Sequence, residues 1–155
     1  MKYLKIVISL VFVLCFFTAC DSASDFYLTY NGKNLLLNNI YSEEEYGKAN
    51  SSFESPDCAF GNRDITYIYD DFEIETYGND NDELIVYSIY FTGENIKTNE
   101  NIGLYDNISS AIKVYGEDYK KENNKYTYTR GNTSLIFITQ NDLINKIEYR
   151  LNEVK

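Results

Sequence analysis

Residues 104–116 read LYDNISSAIKVYG, and this stretch decides the fold that the sequence predicts. Asn107 is a residue type that favours the N-cap of a helix. Apolar residues then recur at i, i+3, i+4 and i+7, and they are Ile108, Ala111, Ile112 and Tyr115. This spacing predicts one apolar stripe on a short helix, and Gly116 suits the left-handed backbone that often ends a helix. Because two turns of helix are unstable alone in water, we expect the stripe to pack on a sheet.

An earlier stretch repeats this pattern. Residues 35–47 read LLLNNIYSEEEYG, and at an offset of 69 residues their final Tyr-Gly falls on Tyr115-Gly116. Further along, Tyr67-Ile68-Tyr69 aligns with Tyr126-Thr127-Tyr128 at an offset of 59 residues. The sequence therefore indicates two related halves.

The residues that follow each copy have the character of β-strands. The predicted strands are 72–76, 84–91, 126–129, 135–139 and 144–151. Leu84–Phe91 is apolar on both faces, which predicts a central position in the sheet. The last strand alternates apolar residues with charged ones, namely Ile147, Tyr149 and Leu151 with Lys146, Glu148 and Arg150. One face of the sheet is therefore predicted to be buried and the other to meet water.

These patterns predict an α+β fold, in which two related helix-plus-antiparallel-strand repeats share one curved sheet. We expect a single domain over residues 33–155, with repeat one at about 33–93 and repeat two at about 94–151. The short helix ending in Tyr-Gly, the Tyr-x-Tyr pair and the strands after it resemble the unit of the β-lactamase-inhibitory-protein-like fold. That resemblance implies tandem helix-and-sheet units and a function in binding other proteins, as inhibitors or as assembly lipoproteins.

The N-terminus has the three parts of an export signal. Lys2 and Lys5 form a positive start, residues 6–17 are almost wholly apolar, and Thr18-Ala19 supplies small residues. The apolar run is shorter than the roughly 20 residues that a membrane-spanning helix needs. Residues 1–19 are therefore predicted to be a signal peptide.

The sequence Phe17-Thr18-Ala19-Cys20 resembles a bacterial lipobox, and the chain is similar to uncharacterised lipoproteins of Gram-positive bacteria. The resemblance implies a lipid on the Cys20 thiol, cleavage before it, and anchorage at the extracytoplasmic face of the cell membrane. Two acyl chains anchor stably, whereas one binds only marginally. Residues 20–32 would be the lipidated cysteine and its polar tether. The alternative is an ordinary signal peptide with an incidental cysteine.

Charge and cysteine content limit the function classes. The formal net charge is −10, and loss of Lys2 and Lys5 with the signal makes it −12. This acidity argues against a nucleic-acid partner, which needs a basic surface. The chain has no histidine, so no Cys/His dyad forms. Cys58 is expected to be a buried thiol, with an intermolecular bond or a reactive group as alternatives.

Two acidic runs have structural interpretations. Residues 79–83, NDNDE, are expected to form a solvated hairpin loop, with calcium binding as the alternative. Glu43-Glu44-Glu45 follows Ser42 with the spacing of a helix capping box. We therefore expect no metal site and no cofactor.

The two Tyr-x-Tyr pairs are the candidate binding residues, because residues i and i+2 of a strand share a face. If the two halves lie side by side, Tyr67, Tyr69, Tyr126 and Tyr128 would line one sheet surface, where tyrosine is favourable for recognition. The alternative is that the four rings pack in the core.

No reaction motif stands out in the sequence. It therefore predicts a non-enzymatic binding domain that meets an envelope or secreted protein. An inhibitor of a secreted or envelope enzyme and a hydrolase with an acidic pair remain as alternatives.

Overall fold

The computed structural model describes residues 24–55 and 63–153. The predicted signal peptide, the lipobox with Cys20, and Cys58 lie outside these residues. None of the helices in the described ranges is both long and apolar enough to span a membrane.

Most of the described chain is β-structure. A two-stranded sheet contains β1 (Tyr27–Tyr30) and β2 (Lys33–Leu36). The helices are α1 (Glu43–Tyr46) and α2 (Ile108–Tyr115). An eight-stranded sheet contains β3 (Ser51–Ser55), β4 (Asp64–Ile68), β5 (Phe72–Gly78), β6 (Leu84–Phe91), β7 (Lys120–Glu122), β8 (Lys125–Arg130), β9 (Thr133–Gln140) and β10 (Leu143–Leu151).

The predicted α+β class, with two helix-plus-strand repeats, is wrong. About half of the described residues are in strands and about a tenth are in two short helices, so the fold is mostly β, with one large antiparallel sheet. Strands β3 (SSFES) and β7 (KKE) are largely exposed and have no alternating apolar residues. Since periodicity reveals only strands with a buried face, sequence patterns did not indicate these edge strands.

The large sheet has the strand order β3-β4-β5-β6-β10-β9-β8-β7. Two meanders of four strands therefore meet where β6 pairs with β10. All pairings are antiparallel. The central position predicted for Leu84–Phe91 is confirmed, because β6 lies fourth of eight.

One face of this sheet carries the core. Hydrogen-bonded pairing aligns a row of apolar residues across six strands, namely Tyr128, Leu135, Tyr149, Ile89, Ile74 and Tyr67. The β1–β2 hairpin contributes Leu28 and Leu35 to the same cluster, and α1 and α2 contribute Tyr46 and Ala111. We call this the covered face. The opposite face, against which none of the described helices packs, is called the open face. It carries Glu73, Glu75, Tyr90, Lys146, Glu148 and Arg150, as the register of β5, β6 and β10 requires.

Helix α2 forms as predicted from its sequence. The Asn107 side chain accepts a hydrogen bond from the Ser109 amide at 2.9 Å, which caps the N-terminus. Gly116 ends the helix with φ 86° and ψ −173°, and its amide donates to the Ile112 carbonyl. In α1, the Ser42 hydroxyl accepts from the Glu45 amide in the same way, at 3.3 Å.

Candidate functional site

A buried carboxylate lies at the centre of the open face. Glu148 of β10 is only 2 % exposed. Lys146 Nζ lies 3.1 Å from Glu148 Oε2, and an Arg150 guanidinium nitrogen contacts Glu148 Oε1. The Ser88 hydroxyl donates to the same carboxylate at 3.3 Å. The contacts of Glu148 with Lys146 and Arg150 follow from the sequence, because residues 146, 148 and 150 alternate onto one face of β10.

The groups around Glu148 offset the free-energy cost of burying its carboxylate. A buried carboxylate is costly unless cations and donors offset the lost hydration. Here two cations and one hydroxyl do so. The side chains of Lys146 and Arg150 remain 40 % and 46 % exposed. Both cations are therefore held in position by Glu148 and are still available to a molecule that approaches the face.

Strand β5, which pairs with β6 on the side away from β10, carries negative charge on the open face. Glu73 pairs with Tyr90, and Glu75 pairs with Ser88, so both carboxylates of β5 lie on the open face. The Tyr90 hydroxyl donates to Glu73. The pairing of β5 with β6 shifts by one residue at Tyr87, which is a β-bulge. Burial, assisted by the nearby Glu75 carboxylate, raises the pKa of Tyr87.

The open face is therefore divided by charge. Its acidic side is β5, and its basic side begins at β10 and continues with Lys125 and Lys120, which the register places on the same face. Glu122 also lies on this face and forms an ion pair of 2.8 Å with Lys120. Tyr90 lies between the two sides, with Lys146 Nζ 5.3 Å from its ring centroid. Tyrosine and arginine are residue types that are enriched at protein interfaces.

The four tyrosines singled out in the sequence lie on the covered face. Tyr69, Tyr126 and Tyr128 are buried, and Tyr67 is partly buried, with its ring 3.7 Å from that of Tyr41. Strands β4 and β8 are separated by four other strands, so the two pairs do not adjoin. The placement of these rings corresponds to the core-packing alternative.

Two of these tyrosines have a defined structural role. The Tyr69 hydroxyl donates to the Gly47 carbonyl at 3.1 Å, and the Tyr128 hydroxyl donates to the Gly116 carbonyl at 2.9 Å. Each glycine directly follows a helix. The second tyrosine of each pair therefore fastens a helix end to the sheet.

The acidic runs are explained by local structure. The Asn79 side-chain oxygen accepts from the amides of Asn81 and Glu83, at 3.0 and 2.9 Å, and this closes the loop between β5 and β6. Glu43-Glu44-Glu45 forms the first turn of α1. Within residues 24–55 and 63–153, His, Cys, Asp and Glu side chains form no group of three or more that could hold a metal ion.

Comparison with known proteins gives no match: no protein-family model, no curated protein and no solved structure matches this chain.

Sequence reasoning found part of this site. The alternation of Lys146, Glu148 and Arg150 with apolar residues predicted a polar face, and that prediction is confirmed for β10. It did not indicate that Glu148 is buried, or that β10 lies next to β6. The only available signal was the apolar character of β6 on both faces, which implied a central strand but not its neighbours.

Proposed function

We propose that this chain is a membrane-anchored, extracytoplasmic lipoprotein, whose domain is a non-enzymatic binding module. The lipid is attached at Cys20, and the partner protein meets the open face of the large sheet. The proposal combines the lipobox resemblance of residues 17–20 with the geometry of the open face.

The binding role is supported by the Glu148 triad, which consists of Glu148 and the two cations that contact it, Lys146 and Arg150. Exposed lysine and arginine side chains are usually mobile, and ordering them on binding costs entropy. Lys146 and Arg150 are already held in place by a buried carboxylate. A surface of this kind is preorganised for a partner, and Tyr90 beside it provides apolar area with a polar tip.

The binding role can be tested by site-specific photo-crosslinking in intact cells that produce the full chain. The crosslinking amino acid replaces Ile138, which is aligned with Lys146 on the open face. The matched control replaces Val114, which is 48 % exposed on α2, on the other side of the sheet. We expect a defined adduct from position 138 and none from position 114. Equal adducts from both positions, or none from position 138, would contradict the role of the open face.

The anchor is tested separately. Metabolic labelling with a fatty-acid analogue is expected to mark the wild-type chain and not Cys20→Ala. Cell fractionation is expected to move the protein from the membrane to the soluble fraction in that variant. Equal labelling of both proteins would overturn the anchor without bearing on the open face.

A further inference from the structure

We propose that the partner of the open face is a second copy of this chain, packed face to face about a two-fold axis. This inference rests on the proposed function, because it uses the same face, and it names the partner. It is argued from the arrangement of charge on the strands around β6.

The charges on the open face are self-complementary. Strand β6 pairs with β5 on one side and with β10 on the other. The acidic residues Glu73 and Glu75 lie on β5, and the exposed cations Lys146 and Arg150 lie on β10. Adjacent strands are about 4.8 Å apart, so the two groups are about 10 Å apart across β6.

In the proposed dimer the open faces of the two copies are opposed, and the two-fold axis lies midway between them, parallel to β6. Rotation about this axis exchanges the acidic side with the basic side. It places β5 of one copy over β10 of the other. Glu75 is aligned with Arg150 through Ser88 in one copy, so each Glu75 then lies over the Arg150 of its partner copy. The same register places Glu73 over the Glu148 of the partner copy, whose charge Lys146 and Arg150 already offset. An isologous interface makes each such contact twice.

The residues at the axis suit the centre of an interface. Tyr90 projects from the middle strand of the face and meets its own copy across the axis. Its ring already contacts Lys146. Aromatic residues at the centre with charged residues around them are typical of stable protein interfaces.

The size of the face is also sufficient. Eight strands at about 4.8 Å spacing, with a mean length of about six residues or about 21 Å, give a face of about 800 Å². A standard protein interface buries about 800 Å² on each partner. The formal net charge of −10 makes two copies repel at long range. Association therefore depends on the local pattern of opposite charges.

The test uses the full chain in detergent under reducing conditions, which exclude disulfide formation. Sedimentation equilibrium measures the mass of the wild type, of an acid-reversed variant (Glu75→Lys) and of a base-reversed variant (Arg150→Glu). Lys146 is retained in the latter so that Glu148 keeps a cation. Thermal melting establishes that each variant is folded.

We expect the wild type to be a dimer, and each variant alone to associate more than about tenfold more weakly. An equimolar mixture of the two variants is expected to regain the dimer, because their reversed faces complement each other. A monomeric wild type, or a dimer that neither variant weakens, would overturn the inference. A monomer whose position 138 crosslinks to a different envelope protein would overturn this inference alone and leave the proposed function intact.

Discussion

The Tyr128 hydroxyl donates a hydrogen bond of 2.9 Å to the carbonyl oxygen of Gly116, the residue that ends helix α2. Tyr69 makes the corresponding bond to Gly47 at the end of α1. Helix-end carbonyls lack partners within the helix. The two bonds therefore satisfy exposed acceptors and fix both helices to the same face of the sheet.

Replacement of Tyr128 by Phe removes one of these bonds and keeps the ring in the core. We expect the free energy of unfolding to fall by about 1 kcal/mol, since a net intramolecular hydrogen bond contributes about that much. Urea denaturation measures the change. Tyr105→Phe is the control, because Tyr105 is 58 % exposed. An unchanged unfolding midpoint for Tyr128→Phe would show that the bond contributes nothing.

Gly116 has backbone dihedrals that are strongly unfavourable for any residue other than glycine. Its φ is 86°, and a Cβ added there would meet nothing within 4 Å. Gly116→Ala is therefore expected to lower the free energy of unfolding by about 1–3 kcal/mol through backbone strain alone. Thermal melting measures this loss of stability. The control is Ser110→Ala, at an exposed position on the same helix. Equal stability of the two variants would contradict the strained backbone.

The Glu148 triad predicts a characteristic pattern of coupled mutations. Removing both cations, in Lys146→Met with Arg150→Met, leaves a buried carboxylate with only the Ser88 hydroxyl as a donor. We expect the free energy of unfolding to fall by about 2–3 kcal/mol. This is less than the loss for a fully buried ion pair, because the cations are partly exposed. Adding Glu148→Leu removes the uncompensated charge and should recover most of the loss. Denaturant unfolding of the double and triple variants measures both steps. A triple variant no more stable than the double would refute this account of the triad.

Buried tyrosines make the domain sensitive to alkali. Burial raises the pKa of Tyr128 from 10.0 to about 12, with smaller contributions from Tyr119 and Tyr126. Because the folded pKa is higher than the unfolded one, the stabilising contribution is complete below pH 10. It is lost as the pH rises from 10 to 12. We expect the melting temperature to fall across this range, together with the rise of tyrosinate absorbance. Ionisation of every tyrosine near pH 10 without unfolding would contradict the burial of these rings.

Local features were accessible from the sequence. Asn107, the apolar stripe after it and Gly116 specified α2 through interactions that extend no further than one helical turn. The alternation in 144–151 and the apolar run in 84–91 specified β10 and β6. These patterns are readable because each depends only on residues that are close together in the chain.

The fold class and the structural role of the tyrosine pairs depended on contacts between residues that are far apart in the chain. The edge strands β3 and β7 are held by backbone pairing with a neighbour, and such pairing leaves no pattern in the side chains. Tyr69 and Tyr128 could have faced water or the core. The covering elements, which include the β1–β2 hairpin with Leu28 and Leu35, decided that this face is the buried one.

By itself, the sequence determined the short helix α2, the principal strands, their alternation and the acidic charge, because neighbouring residues encode these features. Only the tertiary structure decided that β6 lies beside β10, and hence that Glu73 and Glu75 face Lys146 and Arg150 across a single strand. Glu148 and Ser88 are 60 positions apart in the chain. The physical reason is that pairing between distant strands is selected by the packing of the whole core, and no local pattern specifies which strand becomes the neighbour.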